Sequence, residues 1–307
     1  MNFARTLSAL PLAVAALLGA SPGAQAQTVG SVSLATLRDC SSVGAADICD
    51  GTGVGQQIAS RQYGGGIGVA GLNSLDAGGG NWAYSDVSFG GFDLPVIRAA
   101  TQATGDVRMN VNVFGFQSYL IGGTAPTPFS VAGSLHIVDS SSHPTDVGLP
   151  GGATLTGYIG IWDASILDGY ASDPQSLFNG LFYAGCGTPG VRGTGLVSSA
   201  LSGGERTFSL STSECSAGSL TFTPGEELLV VSGLQLPVNR GGYINATHTF
   251  TTQLDPALSA DVQAQILATT QSAIARGAVV FSVPEPSTWL MFGVGALGLA
   301  AWRRRRC

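Results

Sequence analysis

Residues 107–113 read VRMNVNV, and this stretch decides the fold class. Its apolar residues alternate one by one with Arg108, Asn110 and Asn112. A period of two places successive side chains on opposite faces of a β-strand, whereas an amphipathic helix has a period near 3.6 residues. Residues 107–113 therefore predict a strand with one buried face.

The same period recurs along the chain, at residues 131–137, 155–161, 207–211 and 243–254. Residues 220–222 and 228–231 flank Pro224-Gly225, a turn dipeptide, and predict a hairpin. Residues 27–80, which contain two Gly triplets, predict mostly loop with a few short strands. Many short strands without strand-helix-strand repetition are typical of antiparallel sheets packed as a sandwich or jelly roll.

One helix is expected near the end of this region. Asp255 is a residue type that caps helices, Pro256 suits a first turn, and Val262 and Ile266 give an apolar side. Gly277 is a typical residue to end it. The sequence therefore predicts a mainly β domain with one short C-terminal amphipathic helix.

The first 26 residues have the pattern of a cleavable signal peptide. Arg5 precedes an apolar stretch, and the small residues that follow end in Ala24-Gln25-Ala26, an A-x-A cleavage pattern. The apolar stretch is shorter than a membrane span usually requires. We therefore predict cleavage between Ala26 and Gln27 and export of the chain.

The last 24 residues have three signals in order. Pro284, Glu285 and Pro286 come first, and the two prolines hold Glu285 in extended backbone. The apolar run 289–302 follows; as a helix it rises about 21 Å, a marginal transmembrane span. Four consecutive arginines then stop transfer and place the C-terminus in the cytoplasm, at Arg303, Arg304, Arg305 and Arg306.

These tail residues resemble the PEP-CTERM sorting domain of Gram-negative bacteria. The resemblance covers about 25 residues and implies processing by an exosortase, a membrane-embedded cysteine transpeptidase, in bacteria that usually also make exopolysaccharide. It predicts three regions: a signal peptide (1–26), an exported Gly-rich β domain (27–283) and a sorting tail (284–307). The chain would be anchored transiently in the inner membrane and then reach the cell surface or the extracellular space.

The charge of the exported region argues against nucleic acid as a partner. Without Arg5, the four tail arginines and Glu285, 8 basic and 18 acidic residues remain, a net charge of −10. Phosphate contacts need a basic patch, and none is visible. Charged residues make up only 10% of the chain, so the surface is expected to be largely uncharged and polar.

Four cysteines lie in the exported region, and an even number outside the cytoplasm is typical of disulfides. Three pairings are possible, of which the local one closes the shortest loops, Cys40 with Cys49 and Cys186 with Cys215. A structural zinc site would favour C-x-x-C spacing, which is absent. We expect no metal and no cofactor.

No catalytic motif stands out. G-x-G-x-x-G matches recur by chance in this Gly-rich chain, and no H-E-x-x-H or G-x-S-x-G is present. His136 is expected on the polar side of its strand, and His248 as a hydrogen-bonded core residue. Asp163, Asp168 and Asp173 flank a loop and are read as solvated acids rather than Ca²⁺ ligands.

Two functions follow from this sequence. The first is a non-catalytic surface or matrix protein associated with exopolysaccharide, with Tyr158 and Trp162 as glycan contacts on the non-core face of one strand; a second buried sheet face would also explain that pair. The second is an exported glycan-active hydrolase. Such an enzyme needs two acids facing a cleft, and its candidates are Asp163, Asp168, Glu226 and Glu227.

Overall fold

The computed structural model describes residues 29–39, 57–64, 71–142, 152–169, 185–216 and 218–272. Several predicted features lie outside these residues: the signal peptide with Ala26 and Gln27, the pair Cys40 and Cys49, Asp173, Gly277 and the whole sorting tail. Within the described residues, no helix is both long enough and apolar enough to cross a bilayer.

Seventeen strands and one α-helix are assigned within the described residues. The strands are β1 Val29–Asp39, β2 Gln57–Gly64, β3 Gly71–Gly78, β4 Asn81–Phe89, β5 Pro95–Gln102, β6 Val107–Ile121, β7 Thr127–Pro128, β8 Val131–Ile137, β9 Asp139–Ser142, β10 Gly152–Asp163, β11 Val191–Ala200, β12 Arg206–Ser211, β13 Ser213–Glu214, β14 Thr221–Phe222, β15 Glu227–Asn239, β16 Gly242–Leu254 and β17 Thr270–Ser272. The helix, α1, spans Ala260–Thr269, and two 3-10 segments span Gly91–Asp93 and Ala164–Gly169.

Fifteen of these strands form two large antiparallel sheets that face each other, and β7 and β14 form a separate pair. The first sheet has the order β13-β11-β10-β15-β6-β1-β2, with β17 also paired to β6. The second has the order β12-β8-β16-β5-β4-β3, with β9 also paired to β16. β5 packs against β6 and β15, which places the core between the sheets. The predicted antiparallel sandwich is thus confirmed.

The main core lies on the inward-facing set of alternating residues in the long strands. In β6 the inward residues Met109, Val111 and Val113 are fully buried, as the sequence pattern predicts. Two hydroxyl pairs also cross the core, each 2.5 Å apart: Ser33 with Ser85, and Ser232 with Thr252. These hydrogen bonds let polar residues occupy inward positions, since burying a hydroxyl without a partner costs free energy.

The N-terminal part of the domain is more regular than the sequence predicted. β1 is an 11-residue strand that pairs with β6 over its whole length, from Val29 opposite Gln117 to Asp39 opposite Val107. The predicted hairpin at Pro224-Gly225 is wrong, because β14 pairs with β7 rather than with β15. Long-range pairing decides both points, and local turn chemistry does not report it.

The predicted helix is present but shorter. Ser259 caps it, with its hydroxyl accepting a hydrogen bond from Val262 N at 3.3 Å. Asp255 instead closes the preceding turn, accepting from Ala257 N at 2.8 Å and from the Ser130 hydroxyl at 3.1 Å. The helix ends at Thr269, because the next three residues form β17 and pair with the end of β6.

Candidate functional site

The outer surface of the second sheet presents a set of partly exposed aromatic and amide side chains. We call it the aromatic face; it consists of Trp82 and Tyr84 on β4, Gln102 on β5, and Tyr243 and Asn245 on β16. The alternate residues of β4 point inward, since Ala83, Ser85 and Val87 are buried. Strand alternation therefore directs all five side chains of the face away from the core.

Strand register arranges the aromatic face in two neighbouring rows. In the first row Gln102 lies opposite both Trp82 and Tyr243, and those two rings meet edge to face with centroids 6.2 Å apart. In the second row Ala100 lies between Tyr84 and Asn245. Because the Ala100 side chain is small, the side chains of Tyr84 and Asn245 protrude on either side of it.

The turn between β3 and β4 fixes one end of the aromatic face. Gly78, Gly79 and Gly80 all have positive φ, a conformation that a side chain would strain. Asn81 braces this turn: its Nδ2 donates to Gly78 O at 3.1 Å, and its Oδ1 accepts from Thr104 N at 2.7 Å. The backbone beside Trp82 is thus held by side-chain hydrogen bonds as well as by the sheet.

Carboxylates surround the aromatic face. Asp86 and Arg98 form an ion pair at 3.3 Å in the row beyond Tyr84. Asp76 lies opposite Trp82 on β3, and Asp139 lies opposite Asn245 on β9. Partial burial raises the pKa of Tyr84, the charge of Asp86 raises it further, and Arg98 acts in the opposite direction. The rim is therefore more acidic than basic, while the five residues of the face are uncharged.

Two histidines meet further along the same surface. The rings of His136 and His248 lie 5.5 Å apart, and His136 Nε2 is 2.6 Å from Glu205 Oε1. The predicted position of His136 on the polar side of its strand is confirmed. The prediction for His248 is wrong: it is exposed, because β16 loses register with β5 between Ala246 and Phe250 and carries His248 outward.

The predicted pair Tyr158 and Trp162 lies on the outer face of the first sheet, but both side chains are buried. Trp162 is 0% exposed, and its Nε1 donates to the Tyr158 hydroxyl at 2.9 Å. Gly160 lies between them on the same face, and a Cβ there would collide with both polar atoms. The expectation of an exposed glycan platform is therefore wrong for this pair, and the alternative of a second buried face is correct.

That buried outer face is a small second core. Its members include Leu34, Phe114, Phe116, Tyr158, Trp162, Val191, Cys215, Leu229 and Val231, with Ala164 and Ile166 packed against them. The 3-10 segment after β10 supplies the last two residues. This arrangement explains why an apolar outer strand face is stable here without exposure to water.

One predicted disulfide is present among the described residues. Cys186 and Cys215 are bonded and close a loop with a sequence separation of 29. The bond ties the segment before β11 to β13, and Cys215 itself is buried in the second core. This half of the predicted local pairing is confirmed.

The described carboxylates that were candidates for catalysis make structural contacts. Asp163 Oδ1 accepts from Arg192 Nη1 at 2.9 Å, and Glu226 Oε2 accepts from Thr223 N at 2.6 Å. Glu227 starts β15, and the side chain of Asp168 lies outside the described residues. In the part of the chain that the structure describes, no three His, Cys, Asp or Glu side chains are grouped to hold a metal ion.

The C-terminal residues decide what kind of protein this is. The family model of the PEP-CTERM protein-sorting motif matches residues 282–306. The chain carries a PEP-CTERM sorting motif. The motif indicates an exported protein that an exosortase processes and that its C-terminal region anchors transiently in the membrane.

Comparison of whole chains adds little to the PEP-CTERM assignment. One solved structure that matches is described as "Structural basis for the promiscuous specificity of the carbohydrate-binding modules from the beta-sandwich super family". The match has 10% sequence identity, covers 75% of this chain and 87% of the other, and has a TM-score of 0.21. No curated protein matches this chain.

The aromatic face was missed in the sequence because both alternating sets of β4 contain plausible core residues. Trp82 and Tyr84 are larger and more apolar than Ala83 and Ser85, so size favours burying the wrong set. The signal that was available is the run of small inward residues, which suits a position where two sheets approach closely. Tyr243 and Asn245 join the face only through the pairing of β16 with β5.

Proposed function

We propose that this protein is an exported, exosortase-processed surface or matrix protein that binds neutral polysaccharide at the aromatic face without turning it over. The observation that carries the proposal is the placement of Trp82, Tyr84 and Tyr243, all partly exposed, on one sheet face with two amides. The apolar C–H surface of a sugar ring packs against aromatic rings, and its hydroxyls hydrogen-bond to amides.

Charge supports the same class of ligand. The aromatic face has no ionised residue, and Asp76 and Asp139 lie on either side of it, while Asp86 is paired with Arg98. An anionic chain such as nucleic acid would meet like charge there. The exopolysaccharide made by many bacteria with this sorting system is a suitable partner, and the cell surface or extracellular matrix is the proposed destination.

The test is a binding assay with the purified full-length protein in a detergent without a sugar headgroup. Four neutral polysaccharides that differ in linkage or in sugar serve as probes: dextran, laminarin, xyloglucan and galactomannan. We expect weak binding to at least one, a loss of about fivefold or more in Trp82→Ala, roughly 1 kcal/mol, and little change with added salt.

Leu196→Ala is the matched control, because Leu196 is 67% exposed on the first sheet and lies away from the aromatic face. This variant should bind as the unchanged protein does. Failure to bind any of the four probes, or equal binding by Trp82→Ala, contradicts the proposed site. Release of reducing sugars from the bound probe would contradict the non-catalytic function.

A further inference from the structure

The two amides of the aromatic face are each held at one end. Gln102 Nε2 donates to Gly80 O at 3.0 Å. Because only the nitrogen of an amide can donate to a carbonyl, this contact fixes the orientation of the group. No described residue forms a hydrogen bond with Gln102 Oε1, so the side chain offers an acceptor to a ligand.

Asn245 is held in the opposite sense. Its Oδ1 accepts from Thr247 N at 3.0 Å and from Thr247 Oγ1 at 2.5 Å. Only the oxygen of an amide can accept from a backbone N–H, so this orientation is also fixed. No described residue receives a hydrogen bond from Asn245 Nδ2, and the side chain offers a donor.

The two residues that carry the acceptor and the donor occupy neighbouring positions on the aromatic face. Asn245 is two residues from Tyr243, the residue directly opposite Gln102, so the two amides are diagonal neighbours on adjacent strands. Diagonal neighbours are about 7–8 Å apart, within reach of one bound molecule. Trp82 and Tyr243 flank Gln102, and Tyr84 lies in the row of Asn245.

The hydroxyls of a sugar ring can bind to both this acceptor and this donor. A free hydroxyl both donates and accepts, so two hydroxyls on adjacent ring carbons can donate to Gln102 Oε1 and accept from Asn245 Nδ2. An acetylated hydroxyl has lost its proton and cannot donate. A carboxylated sugar would meet the like charges of Asp76 and Asp139 on either side of the face.

We propose that Gln102 and Asn245 select a neutral polysaccharide with free hydroxyls on adjacent ring carbons. This inference rests on the proposed function, since it specifies the ligand of the same face. It predicts discrimination between forms of one polysaccharide that share a backbone and differ only in substitution. A purely aromatic surface would discriminate much less, because stacking does not depend on the hydroxyl proton.

The experiment uses the full-length protein and the probe that binds best among dextran, xyloglucan and galactomannan, all of which carry free hydroxyls on adjacent ring carbons. Laminarin is left out, because its linkage through O3 leaves no such pair within the chain. That probe is compared unmodified, O-acetylated and carboxymethylated. We expect about tenfold weaker binding of each modified form to the unchanged protein. Gln102→Met removes the acceptor and keeps a side chain of similar size. This variant should bind the unmodified probe more weakly than the unchanged protein does, and acetylation of the probe should reduce its binding little further.

The outcomes distinguish failure of the selection by amides from failure of the proposed function. If Trp82→Ala weakens binding but acetylation has no effect on the unchanged protein, the selection by amides is wrong and the proposed function stands. If Trp82→Ala binds normally, or no probe binds, both fail. If Gln102→Met does not fold, the comparison of the three probe forms on the unchanged protein still decides the matter. If Gln102→Met folds and acetylation still weakens its binding, the role of Gln102 is wrong.

Discussion

Substitution of Trp162 should reduce stability and leave polysaccharide binding intact, whereas substitution of Trp82 should reduce binding and change stability little. Trp162 is 0% exposed in the second core, so Trp162→Ala removes a complete buried aromatic side chain and the donor to the Tyr158 hydroxyl. Large-to-small substitutions of this kind cost about 3–5 kcal/mol. For a domain of this size, 1 kcal/mol shifts Tm by about 2–4 °C, which gives a decrease of roughly 6–20 °C.

Trp82→Ala should cost much less stability, because Trp82 is partly exposed and its ring contact is with Tyr243 at the surface. We expect a change in unfolding free energy below about 1.5 kcal/mol, together with the loss of polysaccharide binding. Urea and thermal unfolding followed by circular dichroism measure the first quantity without relying on tryptophan fluorescence.

Trp162→Phe extends this comparison, since it keeps an aromatic ring and removes the hydrogen bond. It should lose less stability than Trp162→Ala and bind polysaccharide as the unchanged protein does. The reasoning is refuted if Trp162→Ala keeps its stability and loses binding, because that result would require an accessible Trp162.

Three further predictions concern the tail, the disulfide and the buried tyrosines. Replacing Pro284-Glu285-Pro286 by alanines should leave unprocessed protein in the inner membrane, seen as a size difference on immunoblots; normal processing would show that the motif is not read. Cys186→Ser should lower the unfolding free energy by about 3–4 kcal/mol for a loop of this separation, and equal stability of variant and unchanged protein in urea would contradict this. Burial raises the pKa of Tyr158, so its contribution to stability is complete below about pH 10 and is lost as pH rises beyond it. In urea unfolding, the unfolding free energy of Tyr158→Phe should therefore fall less between about pH 9 and 11 than that of the unchanged protein. An identical fall in both proteins would exclude this tyrosine as a cause.

The strands with one clear apolar set were predictable from sequence. In β6 the alternation of Met109, Val111 and Val113 with polar residues matches the buried and outward sets at that end of the strand. Beyond Val113 the pattern fails as a guide, because Phe114 and Phe116 are buried on the outer face. A sheet covered on both sides requires apolar residues in both sets, and a period of two then no longer distinguishes them.

The expectation that Tyr158 and Trp162 are exposed was wrong for the same reason. Tyr158 and Trp162 do lie on the outer face of their strand, as the alternation implied. The second core buries them, with Ala164 and Ile166 from the following 3-10 segment packed against it. Trp82, Tyr84 and Tyr243 were not distinguished in the sequence, although all three are partly exposed on the outer face of the second sheet.

The sequence by itself determined the features that depend on local order: the sorting motif and the presence of alternating strands. These are encoded by neighbouring residues, and each can be recognised without knowing the fold. The sequence favoured the Cys186–Cys215 bond among three possible cysteine pairings without deciding between them. The tertiary structure alone decided which strand faces meet water, because that depends on which sheets and segments pack over them. Gln102 and Asn245 became candidate ligand contacts only when strand pairing made them diagonal neighbours, each with one amide atom hydrogen-bonded to backbone and the other left for a ligand.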